Sequence, residues 1–157
     1  MNENDLPRSG HPKSTAKIAD HPIHPMLVPF PIVSFIFVLI LDVVYARGEP
    51  GVAEASTWVL GFGLVTAALA AVAGLADYLG DERVRRLGDA LKHMLANVTA
   101  VVLELVNFVL RLGNPDFIGS TGVYISAIVV LILLYSGWKG GNLVYRHGVG
   151  VHDRSNL

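Results

Sequence analysis

The sequence predicts an all-α, integral-membrane four-helix bundle with its N- and C-termini on the same side. Three observations lead there. Hydrophobic residues make up 52% of the 157 and charged ones only 16%, too few charges for a soluble domain of this length. The apolar residues gather into four runs, each near the roughly 20 residues that cross a bilayer. Polar, glycine- and proline-bearing stretches separate the runs.

Residues 1–18 are polar and rich in Pro, Ser, Lys and Asn, so they read as a flexible polar tail without a signal peptide. A single transmembrane domain follows over 19–152, with spans at about 26–46, 57–79, 90–112 and 121–146. Residues 153–157 form a closing tail. In the first span Pro25, Pro29 and Pro31 delay the regular helix to about Phe30–Ile32, because proline is tolerated only in a first turn. Ahead of it, His21-Pro22-Ile23-His24-Pro25 is expected to be extended, since proline pushes the preceding residue out of the helical region. The two histidines would then face the same way, roughly 9 Å apart. They would offer one ligand, or simply a rigid entry to the helix. Asp42, near the far end of this span, is explained by interfacial solvation.

The second span carries Gly63, Ala67, Ala70, Gly74 and Asp77 on one face, and the fourth pairs Gly137 with Gly141 beside Ser136 and Gly140. Small residues at such spacing let helices approach closely. In the third span His93, Asn97, Ala100, Glu104, Asn107 and Arg111 share one helical face, which should point into the bundle rather than toward lipid. Glu104 and Lys139 fall at similar depths, so an ion pair between the third and fourth spans is expected, with Asn97 and Asn142 near it. That set is either a polar clamp or a proton or ion pathway through Glu104. His147 and His152 flank Gly148-Val149-Gly150-Val151, which either folds the two histidines together or ends the helix.

Basic residues set the orientation. Arg8, Lys13, Lys17, Arg83, Arg85, Arg86, Lys92, Arg146 and Arg154 fall at the end holding both termini, against Arg47 and Arg111 at the other. The positive-inside rule then places both termini in the cytoplasm of a bacterial cell with the chain in its inner membrane. Tyr45, Trp58, Tyr78, Tyr124, Trp138 and Tyr145 lie near span ends, as interfacial aromatics do.

With no cysteine, thiolate chemistry is excluded, and histidine and carboxylate are the strong metal ligands available. No glycine-rich phosphate loop, HExxH or nucleophile context occurs, so enzymatic activity of the chain by itself is not expected. A net charge of −1 gives nucleic acid no surface. Alternating spans bring His24, Asp77, His93, His147 and His152 to one face, where they would bind a transition metal or, through two imidazoles, a b-type haem. Arg83, Arg86 and Arg146 would then meet the haem propionates. The first function expected is therefore membrane electron transfer with a redox partner protein. The alternatives are a cofactor-free accessory or scaffold protein, in which Asn97, Glu104, Asn107 and Lys139 brace the bundle, or the pathway through Glu104. Assembly into an oligomer is compatible with each.

The stretches HPIHPMLVPFPI (21–32), GLADY (74–78) and GWKGGNLVYRHGVGV (137–151) resemble a family of small bacterial membrane proteins known as domain of unknown function 2231. The resemblance covers most of 21–152 and implies a four-helix integral membrane protein without an assigned activity. It picks out His24, Pro25, Phe30, Pro31, Asp77, Gly137, Gly140, Gly141 and His147. Relatives fused to Rieske-type iron–sulfur domains imply redox partners. The resemblance also implies histidine in many relatives where this chain has Pro29, a ligand missing here.

Overall fold

Proline placement decides where the first span begins. A computed structural model describes residues 11–19 and 21–151. A short helix α1 (Ile23–Leu27) is followed at once by α2 (Pro29–Ala46). Pro25 sits in the first turn of α1 and Pro29 and Pro31 in the first turn of α2, where their missing N–H groups cost no hydrogen bond. The helix therefore starts earlier than expected, and His24 is helical rather than extended. Only His21 keeps the extended backbone, in a two-residue strand β2 (His21–Pro22) paired antiparallel with β1 (Lys17–Ile18).

A 3₁₀ turn at Pro50–Val52 leads into α3 (Ala53–Gly80). The connection after it is not the plain loop expected. It contains α4 (Glu82–Arg85), capped by the Asp81 carboxylate, which accepts from the Arg83 amide at 2.9 Å. Helix α5 (Gly88–Arg111), a π-helical turn at Ile118–Gly122 and α6 (Val123–Tyr145) complete the fold. Four segments are long and apolar enough to cross a membrane: Ile23–Ala46, Pro50–Gly80, Gly88–Arg111 and Ile118–Tyr145. Helix α2 packs on α3, α3 on α5, α5 on α6, and α6 back on α2.

The distribution of side chains is that of a protein solvated by lipid. Large apolar residues such as Val72, Leu131 and Leu134 line the outside, while Asp42, Ser56, Glu104, Asn107, Arg111, Ser126 and Ser136 are buried. Trp58, Tyr124, Trp138 and Tyr145 are exposed near helix ends, as anticipated. The dry core is small: Phe35, Val38, Leu60, Ala67, Ala100 and Val129 form one belt drawn from all four long helices.

Small residues work largely as the sequence suggests on α3. A side-chain carbon at Gly63 would fall 2.7 Å from the Phe35 ring, so only glycine admits that contact. On α6 the expected pair is wrong. Nothing lies within 4 Å of a Cβ built at Gly137 or Gly141; the close approaches are made by Ser136 and Gly140, against His93. The face of α6 that meets α5 is thus rotated away from the Gly137–Gly141 line.

The first and last described segments meet. The Gly150 amide donates to the Pro12 carbonyl at 2.9 Å. Residues 11–18 fall in the segment expected as a free tail, yet they have partners on α3: Asp77 Oδ1 accepts from Ser14 Oγ at 2.8 Å, the Thr15 amide at 2.7 Å and the Ala16 amide at 2.8 Å. Together with Asp81, which accepts from the Lys13 amide, this carboxylate compensates what the segment lacks in apolar surface.

Candidate functional site

Alternating helices do carry His24, Asp77, His93 and His147 to one end of the bundle, but there they separate into three sites rather than one. Among the described residues no group of three or more His, Asp or Glu could hold a metal ion. Asp77 is spent on Ser14, Thr15 and Ala16, so it orients no ligand. His147 turns to Asp89, its Nε2 3.7 Å from Oδ2. Asp89 also takes Lys139 Nζ at 3.0 Å and Asn142 Nδ2 at 3.1 Å. His152 lies outside the described residues. The stretch after α6 is a helix stop rather than a fold-back: Gly148 has φ +66°, and the amides of Gly148 and Val149 return to carbonyls of α6.

His24 and His93 do meet. Their ring centres stand 6.2 Å apart with the planes at 89°. His24 arrives from α1 and holds the Ala70 carbonyl of α3 through Nδ1 at 2.8 Å. His93, on α5, holds the Ser136 carbonyl of α6 through Nδ1 at 2.9 Å. Each ring rests on a glycine. A Cβ at Gly74 would fall 2.9 Å from His24, and one at Gly140 3.0 Å from His93. Asn97 Nδ2 donates to His93 Nε2 at 3.0 Å, and Ser136 Oγ donates to Asn97 Oδ1 at 2.9 Å and reaches His93 Nδ1 at 3.0 Å. The hydrogen-bond directions require the proton of His93 on Nδ1.

A second polar cluster lies deeper, toward the opposite end, and every long helix contributes to it, α5 with three residues. Asp42 of α2 is fully buried. Its Oδ2 takes Arg111 Nη2 at 2.9 Å and Ser126 Oγ at 2.7 Å; its Oδ1 takes Ser56 Oγ at 2.6 Å and Arg111 Nη1 at 3.1 Å. Arg111 also donates to Asn107 Oδ1 at 2.8 Å, and Asn107 Nδ2 donates to Glu104 Oε2 at 2.9 Å. Interfacial solvation therefore does not explain Asp42. Arg111 is not a loop-side basic residue either. The expected Glu104–Lys139 pair does not form, because Lys139 is held by Asp89 and Glu104 by Asn107.

Of the arginines proposed to meet propionates, two are already engaged: Arg83 with Asp81 at 2.7 Å and Arg86 with Glu82 at 2.6 Å. The Arg83 guanidinium beside it holds the Asp81 carboxyl well below the usual carboxylate range. Arg85 bonds the Leu79 carbonyl at the end of α3.

Residues 20–153, with their four spans and closing helix stop, match the family model for predicted membrane proteins called DUF2231. The chain belongs to the DUF2231 family. No curated protein and no solved structure matches it. Membership fixes a membrane protein and leaves the activity open. The two polar centres of this DUF2231 chain differ in how legible they are. The stripe on α5 shows in the sequence as a 4, 3, 4, 3, 4 spacing, but its partners Asp42, Ser56 and Ser126 carry no periodic signal of their own.

Proposed function

We propose that the His24–His93 pair is the working centre of this membrane protein and takes one metal centre between its imidazoles for electron transfer. The spacing of the rings carries this reading. The rings meet edge-on, their centres 6.2 Å apart; turned nitrogen to nitrogen, two metal–imidazole bonds of about 2 Å would span roughly that distance. Each Nδ1 meets a main-chain carbonyl, the arrangement that leaves Nε2 as the lone pair a metal takes. Two imidazoles do not complete the shell of a bare divalent ion. The centre therefore brings its other ligands, as the iron of a b-type haem does, or needs few, as copper in its lower oxidation state does. Gly74 and Gly140 keep the rings close to the helix axes. The basic bias of this end supports placing both termini on the cytoplasmic side of a bacterial inner membrane, with a redox partner protein reaching the pair from that side.

One observation favours a second reading, a cofactor-free brace for an accessory protein. His93, Asn97 and Ser136 already close a ring of hydrogen bonds, and Asn97 occupies His93 Nε2. Metal entry requires the Asn97 amide to swing aside. The deciding experiment is an absorption spectrum with metal analysis of the detergent-purified full chain from cells replete in haem and metals. The first reading expects a Soret band or one metal per chain, lost in His24→Ala and His93→Ala and kept in His147→Ala. A colourless, metal-free protein whose His93→Ala variant loses only thermal stability gives the brace.

A further inference from the structure

One buried polar atom among the described residues has no hydrogen-bond partner: Glu104 Oε1, on a side chain with no exposed surface. The His24–His93 pair makes no use of it. We propose that Glu104 is a proton-carrying site, exchanging a proton with the end of the bundle where Arg111 lies.

Charge counting comes first. The charged groups facing Glu104 are Asp42 from α2 and Arg111 from its own helix; Ser126 of α6 and Ser56 of α3 complete the cluster without charge. Asp42 and Arg111 cancel through two hydrogen bonds, 2.9 and 3.1 Å. A second carboxylate here would lack a counter-charge and leave one oxygen without a donor in a lipid-embedded core. An uncompensated charge is the costliest thing such a core can hold. The uncharged acid is the form the site accommodates: its Oε1–H finds no acceptor, but an unpartnered neutral hydroxyl costs far less than an unpaired charge.

A direction for exchange follows from what lies on either side. Toward the histidine end, Ala100, Phe35, Val38 and Val129 form the dry belt, and the step along α5 from Glu104 to Asn97 is about 10 Å by helical rise. Toward the other end, Asn107, Arg111 and Ser126 are joined by hydrogen bonds without a break. Arg111 in turn lines a cavity of about 300 Å³ shared with Glu54, Thr57, Trp58 and Pro115. The hydrogen bonds of that line end on Oε2, and amide and guanidinium N–H groups donate rather than accept, so exchange takes water. When local opening on this side admits water to Glu104, the Oε1–H bond breaks, the water takes the proton toward the cavity, and the carboxylate left behind is hydrated until a proton returns.

Infrared spectroscopy of the purified full chain tests this. The expected spectrum at neutral pH contains a protonated-carboxyl C=O band that shifts in heavy water while the protein stays folded. Glu104→Gln removes the band, and Glu104→Asp, the variant to use should the first not fold, moves it without abolishing it. Substituting Glu82→Gln leaves it unchanged. Absence of the band, its survival in Glu104→Gln, or a band that never exchanges in the folded protein each overturns the proposal.

Discussion

Asp42 and Arg111 show what a residue costs and contributes when four helices share it. Every lone pair of the Asp42 carboxylate toward its neighbours is used, by Ser56, Ser126 and two guanidinium nitrogens. Removing one partner strands the other charge without water. Asp42→Asn or Arg111→Met should each lower stability by about 3–5 kcal/mol, and the double variant Asp42→Leu/Arg111→Met should recover much of the loss, read from denaturation in a fixed detergent. Equal loss in the double variant would show that the serines and Asn107, not the ion pair, dominate. Little of this was legible beforehand. Asp42 stands alone at the end of an apolar run, and Arg111 at the end of another, so each is explained locally by an interface. Only the closing of the four-helix ring, which sets α2 and α5 diagonally across it, reveals that they meet. The stripe of His93, Asn97, Glu104 and Asn107 was legible because it lies on one helix, where spacing alone defines a face. What each member bonds to was not, since that depends on the rotation of α6.

At the scale of elements, the least apolar segment is tied down by carboxylates. Residues 13–16 hang on Asp77 and Asp81 at the end of α3, with the Lys13 amide 3.1 Å from Asp81 Oδ2. Hydrogen bonds to a charged group contribute ~1.5–3 kcal/mol, so Asp77→Ala should speed amide exchange at Thr15 and Ala16 about tenfold or more without unfolding the bundle. Unchanged exchange there would mean that other contacts hold the segment. Asp81 gives this attachment a pH dependence. Its carboxyl is held low, chiefly by the Arg83 guanidinium, so the folded state favours the ionised form. That contribution is full above the ordinary carboxylate pKa of about 4 and is lost as pH falls through the lower folded value. Exchange at Lys13, corrected for its intrinsic pH dependence, should therefore stay slow at pH 5 and rise only below about pH 4. The tie was missed in the sequence because polar composition signals disorder, whereas two well-placed carboxylates supply what apolar area does not. The capping helix α4 was missed for a related reason: four residues are too few for periodicity, and only Asp81 ahead of Glu82 marks its start.

At the scale of the molecule, the count of spans, their near-boundaries and the antiparallel order follow from run length and loop composition, which are properties of the sequence alone. The early start of the first helix does not, because three prolines fall by register into two first turns. In the proposed orientation, the basic bias rests chiefly on the short connection holding Arg83, Arg85 and Arg86. Arg111 is buried against Asp42, so the opposite end has fewer free basic groups than its sequence suggests. Reporter fusions at either terminus should both report the cytoplasm, and replacing Arg83, Arg85 and Arg86 by Ala should produce a mixed population. Termini in different compartments would overturn the orientation and the even number of crossings together.

Pro12 and Gly150 touch, although 137 residues separate them along the chain. A short peptide could stitch them into a closed ring, and the ring could be cut in the connection between Leu112 and Ile118. Such a circular permutant would keep every helix contact while its new ends emerged through the other leaflet, uncoupling bundle assembly from the direction in which the chain is threaded.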